Sequence, residues 1–299
     1  MLRRAARLSA LAAPCTLLGA RRPLALSAET AVSDTRPAQL FSLEGKVALV
    51  TGGSGGLGKA IARGLALAGA DVVITSRREP ELRASLAEIT DGTGVRGEYI
   101  VADLATPGEA DRVGAEALRR FGHVDILVNN AGVSAPGTIH KGREEAIPNM
   151  TDDSWRTTLS TNLTAAMELT NALAPSMVAR GWGRIVHVSS IAAIGSSEGR
   201  SAYSASKAGM VGLTHCGALE LGPCGVTVNC VAPGPFLTEM PLSKLPPAAI
   251  EAFGERVPLR RWGKPSELVG PVLMLVSEAG AYVNGATLRV DGGLLARAY

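Results

Sequence analysis

From Lys46 onward, short apolar runs alternate with longer amphipathic stretches. Lys46–Thr51 reads Lys-Val-Ala-Leu-Val-Thr, with no apolar/polar alternation. Such a run predicts a strand covered on both faces. Similar runs recur at Asp71–Thr75, Glu98–Ala102, Asp125–Asn129, Arg184–Ser189, Val226–Val231 and Thr287–Val290. Between them, helical patterning is predicted from the Gly-rich turn after Thr51 to about Gly69, and after the second strand to about Ile89. It continues over Thr106–Phe121, Trp155–Arg180 and Ser204–Leu221, with two shorter helical pieces before the last strand. Strands that alternate with helices form right-handed βαβ units on a parallel sheet. The expected architecture is a doubly wound α/β Rossmann fold with seven parallel strands and helices on both faces. No linker divides residues 41–299, so one domain is expected, beginning near Leu40 or Phe41.

The turn after the first strand reads Thr51-Gly-Gly-Ser-Gly-Gly-Leu-Gly58. A pyrophosphate needs backbone N–H groups at close approach and a helix N-terminus aimed at it, and glycine permits both. A Gly-rich stretch alone is a weak signal. Here it follows a strand and opens a helix, which is the context dinucleotide binding requires.

Composition narrows the partners. Residues 1–40 carry six Arg against Glu29 and Asp34, whereas the remainder has 24 basic and 25 acidic residues. The folded part is close to neutral and lacks the basic face that nucleic-acid binding requires. Cys15, Cys216, Cys224 and Cys230 form no C-x-x-C pair, and the four His (123, 140, 187, 215) have no ligand spacing. No metal site is expected, and the thiols read as reduced. The first 28 residues contain five Arg and no acid, with basic and apolar residues interleaved. This is the pattern of an organelle transit peptide, mitochondrial first, with plastid, secretory or cytoplasmic readings as alternatives. The apolar stretch Leu8–Ala20 is too short to cross a bilayer and is broken by Pro14, so no transmembrane segment is expected.

Further motifs fall in one order. Gly52, Gly56 and Gly58 give Thr-Gly-x-x-x-Gly-x-Gly; Asn129-Asn-Ala-Gly132 ends the fourth strand and Ser189-Ser190 the fifth. Tyr203-x-x-x-Lys207 opens the next helix, Pro233-Gly234 follows the sixth strand, and Asn162 lies on the preceding long helix. This set resembles the short-chain dehydrogenase/reductase family over essentially all of residues 41–299. A Tyr-x-x-x-Lys pair alone occurs often by chance; its place after Ser190 and behind the Gly turn carries the resemblance.

The resemblance implies a catalytic group of Asn162, Ser190, Tyr203 and Lys207. Tyr203 and Lys207 are four apart, on one helix face. Reducing a ketone needs a proton donor at the carbonyl oxygen. A free phenol, with a pKa near ~10, needs a neighbouring cation to work near neutral pH. Lys207 is that cation and also holds the nicotinamide ribose. Ser190, rather than Ser189, would bond the substrate oxygen, and Asn162 would hold a water linking Lys207 to solvent. The same resemblance assigns Thr51, Gly52, Ser54, Gly55, Gly56, Leu57 and Gly58 to the pyrophosphate turn. It puts Asp103 and Leu104 beside the adenine, and Asn130, Ala131 and Gly132 on the ribose side. Pro233, Gly234 and Thr238 fall at the nicotinamide end. A helix cap is the alternative for Asp103.

The second strand ends Thr75-Ser76-Arg77-Arg78, without the acid that bonds a ribose 2′-OH. Arg77 can bind a 2′-phosphate, so NADP(H) is favoured and NAD(H) is the alternative. Gly55 stands where many NADP-using relatives have a basic residue. The segments Arg261-Trp-Gly-Lys-Pro-x-Glu-Leu-Val-Gly270 and Val290-Asp-Gly-Gly293 resemble the branch of 3-oxoacyl-carrier-protein reductases and gluconate 5-dehydrogenase-like enzymes. A 3-oxoacyl thioester is the first substrate expectation, with a sugar acid or a broad range of carbonyls as alternatives. A carrier protein would dock on basic residues; Cys224 replaces the arginine often found there, with Arg180 and Arg184 nearby in sequence. The connection from Ser134 to Asp152, with His140, Lys141, Arg143 and Glu144, is expected at the substrate mouth. A catalytically idle dinucleotide-binding protein and a lyase or epimerase are the competing classes. The resemblance also implies a homo-oligomer, dimer or tetramer, formed through the long helices at Trp155–Arg180 and Ser204–Leu221.

Overall fold

Val47–Thr51 (β1) is buried along its whole length, and its side chains feed two separate cores. Ala48 and Val50 face one core, and Val47 and Leu49 the other. This explains the absence of polar alternation: neither face of the strand meets water. In the structure, a computed structural model, residues 35–139, 148–239, 242 and 245–296 are described. The Arg-rich leader, and His140, Lys141, Arg143 and Glu144 of the long connection, lie outside the described residues.

The remaining strands are β2 (Asp71–Ser76), β3 (Gly97–Val101), β4 (Ile126–Asn129), β5 (Gly183–Val188), β6 (Val226–Pro233) and β7 (Thr287–Val290). They form one parallel sheet in the order β3-β2-β1-β4-β5-β6-β7. A short helix α1 (Pro37–Leu40) precedes β1. On one face pack α2 (Gly56–Leu67), α3 (Glu79–Thr90) and, from the C-terminal part, α9 (Val269–Val276). On the other pack α4 (Glu109–Phe121), α6 (Ala165–Arg180) and α7 (Ser201–Leu221). Helices α5 (Asp152–Leu159) and α8 (Pro247–Arg256) complete the set named here. The doubly wound seven-stranded arrangement expected from the sequence is the one observed.

Several boundaries differ from expectation. Helix α4 begins at Glu109, not Thr106, because Pro107-Gly108 intervenes and Gly108 takes φ 82°. Helix α7 begins three residues before Ser204, with Arg200 as its N-cap. The helix expected over Trp155–Arg180 starts at Asp152, where the Thr151 hydroxyl accepts the Ser154 N–H. It is then interrupted by a π-turn at Ser160–Thr164.

At the amino ends of the strands, polar groups are locked in pairs. The buried Asp125 carboxylate accepts the Val47 N–H at 2.8 Å and meets the Arg180 guanidinium, with His123 at 3.2 Å. Arg184 is buried, stacks 4.3 Å from the Trp182 ring centroid and faces Glu278 at 3.4 Å. The two arginines considered for carrier docking are therefore engaged with side chains of this same chain.

Across the sheet, Asn129, His187 and Cys230 share one register row. The Asn129 amide lies 3.2 Å from His187 Nδ1. Burial, with the Lys207 charge adding to it, lowers the His187 pKa to about 4. The ring stays neutral in the folded chain while an unfolded chain protonates it near pH 6.5. Between pH 6.5 and 4 the unfolded state binds the extra proton, so stability falls as pH falls, by about 3 kcal/mol in total from this group. Urea denaturation from pH 7 to 4 should show that loss in the native chain and a shallower one in His187→Gln. Equal slopes would remove His187 as the cause.

Candidate active site

In an open α/β sheet, the crevice forms where the strand order reverses, at the carboxyl ends. Here the reversal lies between β1 and β4. The Thr51 hydroxyl accepts the N–H of Asn130 at 2.9 Å and of Ala131 at 2.8 Å. The Asn130 amide returns to the Thr51 carbonyl at 2.8 Å. Thr51, Asn130 and Ala131 thus clamp the two strand ends together; these contacts build the crevice wall.

The glycine turn follows the clamp. Gly52 has φ 68°, and Gly58 lies so close to the Gly52 carbonyl that a Cβ would approach it to 2.2 Å. Gly53, not singled out from the sequence, abuts Ile74 at 2.7 Å from its Cβ position. Ser85 of α3 donates to the Ser54 carbonyl at 2.9 Å and fixes the outer bend. The first-turn N–H groups of α2 have no acceptor within the helix, and the macrodipole adds positive potential there. Gly55, Gly56 and Leu57 sit at this end, so the turn fits a dinucleotide pyrophosphate. Thr238 lies against Gly56 of the glycine turn, 3.5 Å from its Cβ position. The chain doubles back there, with Leu237 N–H donating to the Gly263 carbonyl and Thr238 N–H to that of Phe236.

Asp103 caps no helix. Its carboxylate accepts the Ala105 N–H at 3.1 Å in a tight turn and lies 4.0 Å from Arg77. Leu104 is buried in the core beneath β3, which leaves only its backbone to border a ligand. Arg77 is exposed beyond the end of β2, and the neighbouring Arg78 pairs with Glu81 at 3.0 Å.

A cavity of about 430 Å³ opens between the strand ends and α7. Ser190, Tyr203, Lys207, Gly132, Pro233 and Gly234 line it. Lys207 is 3 % exposed, and its Nζ donates to the Val188 carbonyl at 2.7 Å and lies 5.7 Å from the Tyr203 ring centroid. Burial pushes the Lys207 pKa down to about 8, against a small opposing contribution from Cys230. The Ser190 hydroxyl accepts the Ala192 N–H at 3.1 Å, which leaves its own O–H to donate. Ser189 instead donates to the Lys207 carbonyl at 2.7 Å and ties β5 to α7.

Asn162 sits in the π-turn and is fully buried. Its Oδ1 accepts the Val133 N–H at 2.8 Å, and its Nδ2 donates to the Val133 carbonyl at 2.9 Å and to Ser206 Oγ at 3.0 Å. The π-turn lets a helical residue grip the loop after β4 as a strand would. Gly132 lies between Asn162 and Lys207, with its Cβ position 3.4 Å from Oδ1 and 3.4 Å from Nζ. All four expected catalytic residues therefore gather at the carboxyl end of the sheet. Val188, Ser206, Glu198 and Arg200 join them; of these, only the acid and the base carried a sequence signal, as charges just ahead of the Tyr-x-x-x-Lys helix.

A Rossmann sheet with a glycine turn and a buried lysine beside a cavity tyrosine defines a dinucleotide-dependent oxidoreductase. The family model described as enoyl-(acyl carrier protein) reductase matches residues 52–295. The chain belongs to the short-chain dehydrogenase/reductase family, NAD(P)-dependent enzymes that act on alcohol and ketone groups. It is 39 % identical to nodulation protein G of Rhizobium sp. (strain N33), over 85 % of this chain and 99 % of that one. It is 36 % identical to the 3-oxoacyl-(acyl-carrier-protein) reductase of Aquifex aeolicus (strain VF5), with the same coverage of 85 % and 99 %. Among solved structures, a protein assigned as an NAD(P)-dependent gluconate 5-dehydrogenase from Beutenbergia cavernae, with NADP bound at low occupancy, has 39 % identity. It aligns with a TM-score of 0.78 over 86 % of this chain and 100 % of that chain. A 3-oxoacyl (acyl-carrier-protein) reductase from Agrobacterium tumefaciens C58 with NADP bound aligns with a TM-score of 0.80 and 31 % identity, over 86 % and 97 %.

Two predictions arise from this geometry. Gly58→Ala should weaken NADPH binding by at least about tenfold in a fluorescence titration, because the turn cannot keep its shape around a Cβ. Holding Lys207 charged below pH 8 costs the fold about 3 kcal/mol, relieved as pH rises from 8 to 10.5, where only the unfolded chain keeps the proton. Lys207→Met should therefore resist urea better than the native chain at pH 7, with the gap closing by about pH 10. A gap independent of pH would contradict this origin.

Proposed function

We propose that the chain is an NADPH-linked reductase interconverting a ketone and a secondary alcohol, with Tyr203 as the proton donor. The observation that carries this reading is the buried Lys207 ammonium beside the Tyr203 ring in a cavity that Ser190 also lines. When bound, the nicotinamide supplies the hydride. Tyr203 gives the carbonyl oxygen its proton from the phenol Oη. Lys207 Nζ stabilises the phenolate left behind, at short range and in a water-poor setting where its charge counts for more. Ser190 donates its O–H to the same substrate oxygen and holds it against Tyr203. Asn162 fixes the loop that carries Gly132 and Val133.

NADPH is favoured over NADH because β2 ends in Ser76 and is followed by Arg77, with no acid to repel a 2′-phosphate. NADP bound in the related structures supports the same choice. The relatives divide between carrier-protein and gluconate-type enzymes. The engagement of Arg180 with Asp125 and of Arg184 with Glu278 favours a free small substrate over a carrier-bound thioester.

Tyr203→Phe should bind NADPH within about twofold of the native affinity yet reduce turnover of an activated ketone by about a thousandfold or more. Full turnover in that variant would overturn the assignment. Arg77→Asp should reverse the preference between NADPH and NADH in kcat/KM, by about tenfold or more. NADPH oxidation with 3-oxoacyl thioesters, keto sugar acids and simple diketones reads out the substrate branch. Net consumption of NADPH separates reduction from lyase or epimerase chemistry.

A further inference from the structure

Arg200 lines the catalytic cavity with Tyr203 and Lys207. Its guanidinium carbon lies 5.8 Å from the Tyr203 ring centroid. Most arginines of the folded part face a carboxylate, as Arg77, Arg78, Arg112, Arg120, Arg180 and Arg261 do. Among the described residues, Arg200 has only the aromatic ring as a side-chain partner.

The backbone beneath it is fixed from two sides. The Gly137 N–H donates to the Gly199 carbonyl at 3.0 Å, and Gly137 and Arg200 form a parallel bridge between the loop after β4 and the start of α7. The Arg200 carbonyl accepts the Ser204 N–H at 2.8 Å. Arg200 is also the N-cap of α7, a helix of 21 residues whose end carries no side-chain cap. The guanidinium and the positive end of that helix thus act on one side of the cavity mouth. Glu198 lines the same mouth.

We infer that Arg200 binds a carboxylate of the substrate, so that the ketone reduced here belongs to a short keto acid, and the alcohol to the matching hydroxy acid. The inference rests on Tyr203 being the proton donor. A guanidinium this close to the tyrosine ring places the carboxylate a few bonds from the carbonyl. That spacing suits a compact acid, whereas the nearest phosphate of a pantetheine thioester lies many bonds away. Arginine suits the role through its planar pair of N–H donors, which match a carboxylate's two oxygens.

The test is NADPH oxidation with a panel of keto acids, each paired with its neutral methyl ester. The native enzyme should favour the acids in kcat/KM. Arg200→Met should lower the acid-to-ester ratio by about tenfold or more, mainly through KM for the acids, and Arg200→Lys should recover part of it. NADPH titration of the variant should give the native affinity, which separates substrate recognition from a disturbed cofactor site. The inference is overturned if Arg200→Met leaves the ratio as it was, or lowers acid and ester alike. A shift in the pH profile without a change in selectivity also overturns it and would mean that Arg200 acts on the Tyr203 phenol. Native turnover of esters at least equal to that of acids overturns the inference and leaves the reductase reading standing. Tight NADPH binding with no reduction of any acid or ester overturns both.

Discussion

The clamp between β1 and β4 is the contact on which the rest of the site depends. Parallel strands at a topological switch point diverge, because their following helices go to opposite faces of the sheet. Left alone, their carboxyl ends would expose backbone polar groups to the crevice. The Thr51 hydroxyl and the Asn130 amide satisfy those groups reciprocally. The glycine turn starts directly from one side of this clamp, and the loop bearing Gly132 and Val133 from the other. Asn162 then holds that loop through both polar atoms of Val133. Each of these contacts presupposes the one before it, so the cavity floor inherits its geometry from β1.

Lys207 is the counterweight. A buried ammonium with a carbonyl and a thioether as its polar neighbours is unfavourable to the fold. Its environment avoids making this worse. His187, at hand in the same polar row, is neutral rather than a second cation, and burial raises the Cys230 pKa, so that residue remains a thiol. Among the described residues no carboxylate pairs with Lys207, whose Nζ lies 5.7 Å from the Tyr203 ring centroid. A carboxylate partner would stabilise the fold and cancel the field that the proposed chemistry uses.

Much of this was legible in the chain. Apolar runs buried on both faces gave the strands, and the ordered motifs gave the gathering of Ser190, Tyr203, Lys207 and Asn162. What escaped was contact-level detail. The bonds by which Thr51, Asn130 and Ala131 tie the two strand ends together were not read from the sequence. The side chain of Leu104 is in the core, so only its backbone can border a ligand there. The pairing of Leu237 with Gly263, which brings Thr238 against Gly56, joins distant segments and is not encoded in local spacing. The π-turn at Asn162 adds one residue to a turn without changing apolar periodicity enough to be seen. Arg200 showed in the sequence only as a charge ahead of the Tyr-x-x-x-Lys helix; its contacts with Gly137 and Tyr203 appear only in the fold.

The two ends of the sheet follow opposite rules. At the amino ends, Asp125 is paired with Arg180 and Arg184 with Glu278, and the Trp182 ring lies within cation–π distance of both Lys46 and Arg184. Breaking any one of them leaves a buried or half-buried charge without its partner, which makes that edge resistant to change. At the carboxyl ends, among the described residues, the charges are incompletely matched: Lys207 has no carboxylate partner, and Arg200 lies over an aromatic ring. Stability is concentrated at one edge and reactivity at the other, so substitutions at the second can strengthen the fold while abolishing its use. The same division bears on the proposal that Arg180 and Arg184 do not serve as docking charges. Arg184 is buried and Arg180 is held against the buried Asp125, so a new partner would have to compete with these pairings. Arg200 has no such exchange to make with the ring beneath it, because a cation–π contact leaves its planar edge of donors open.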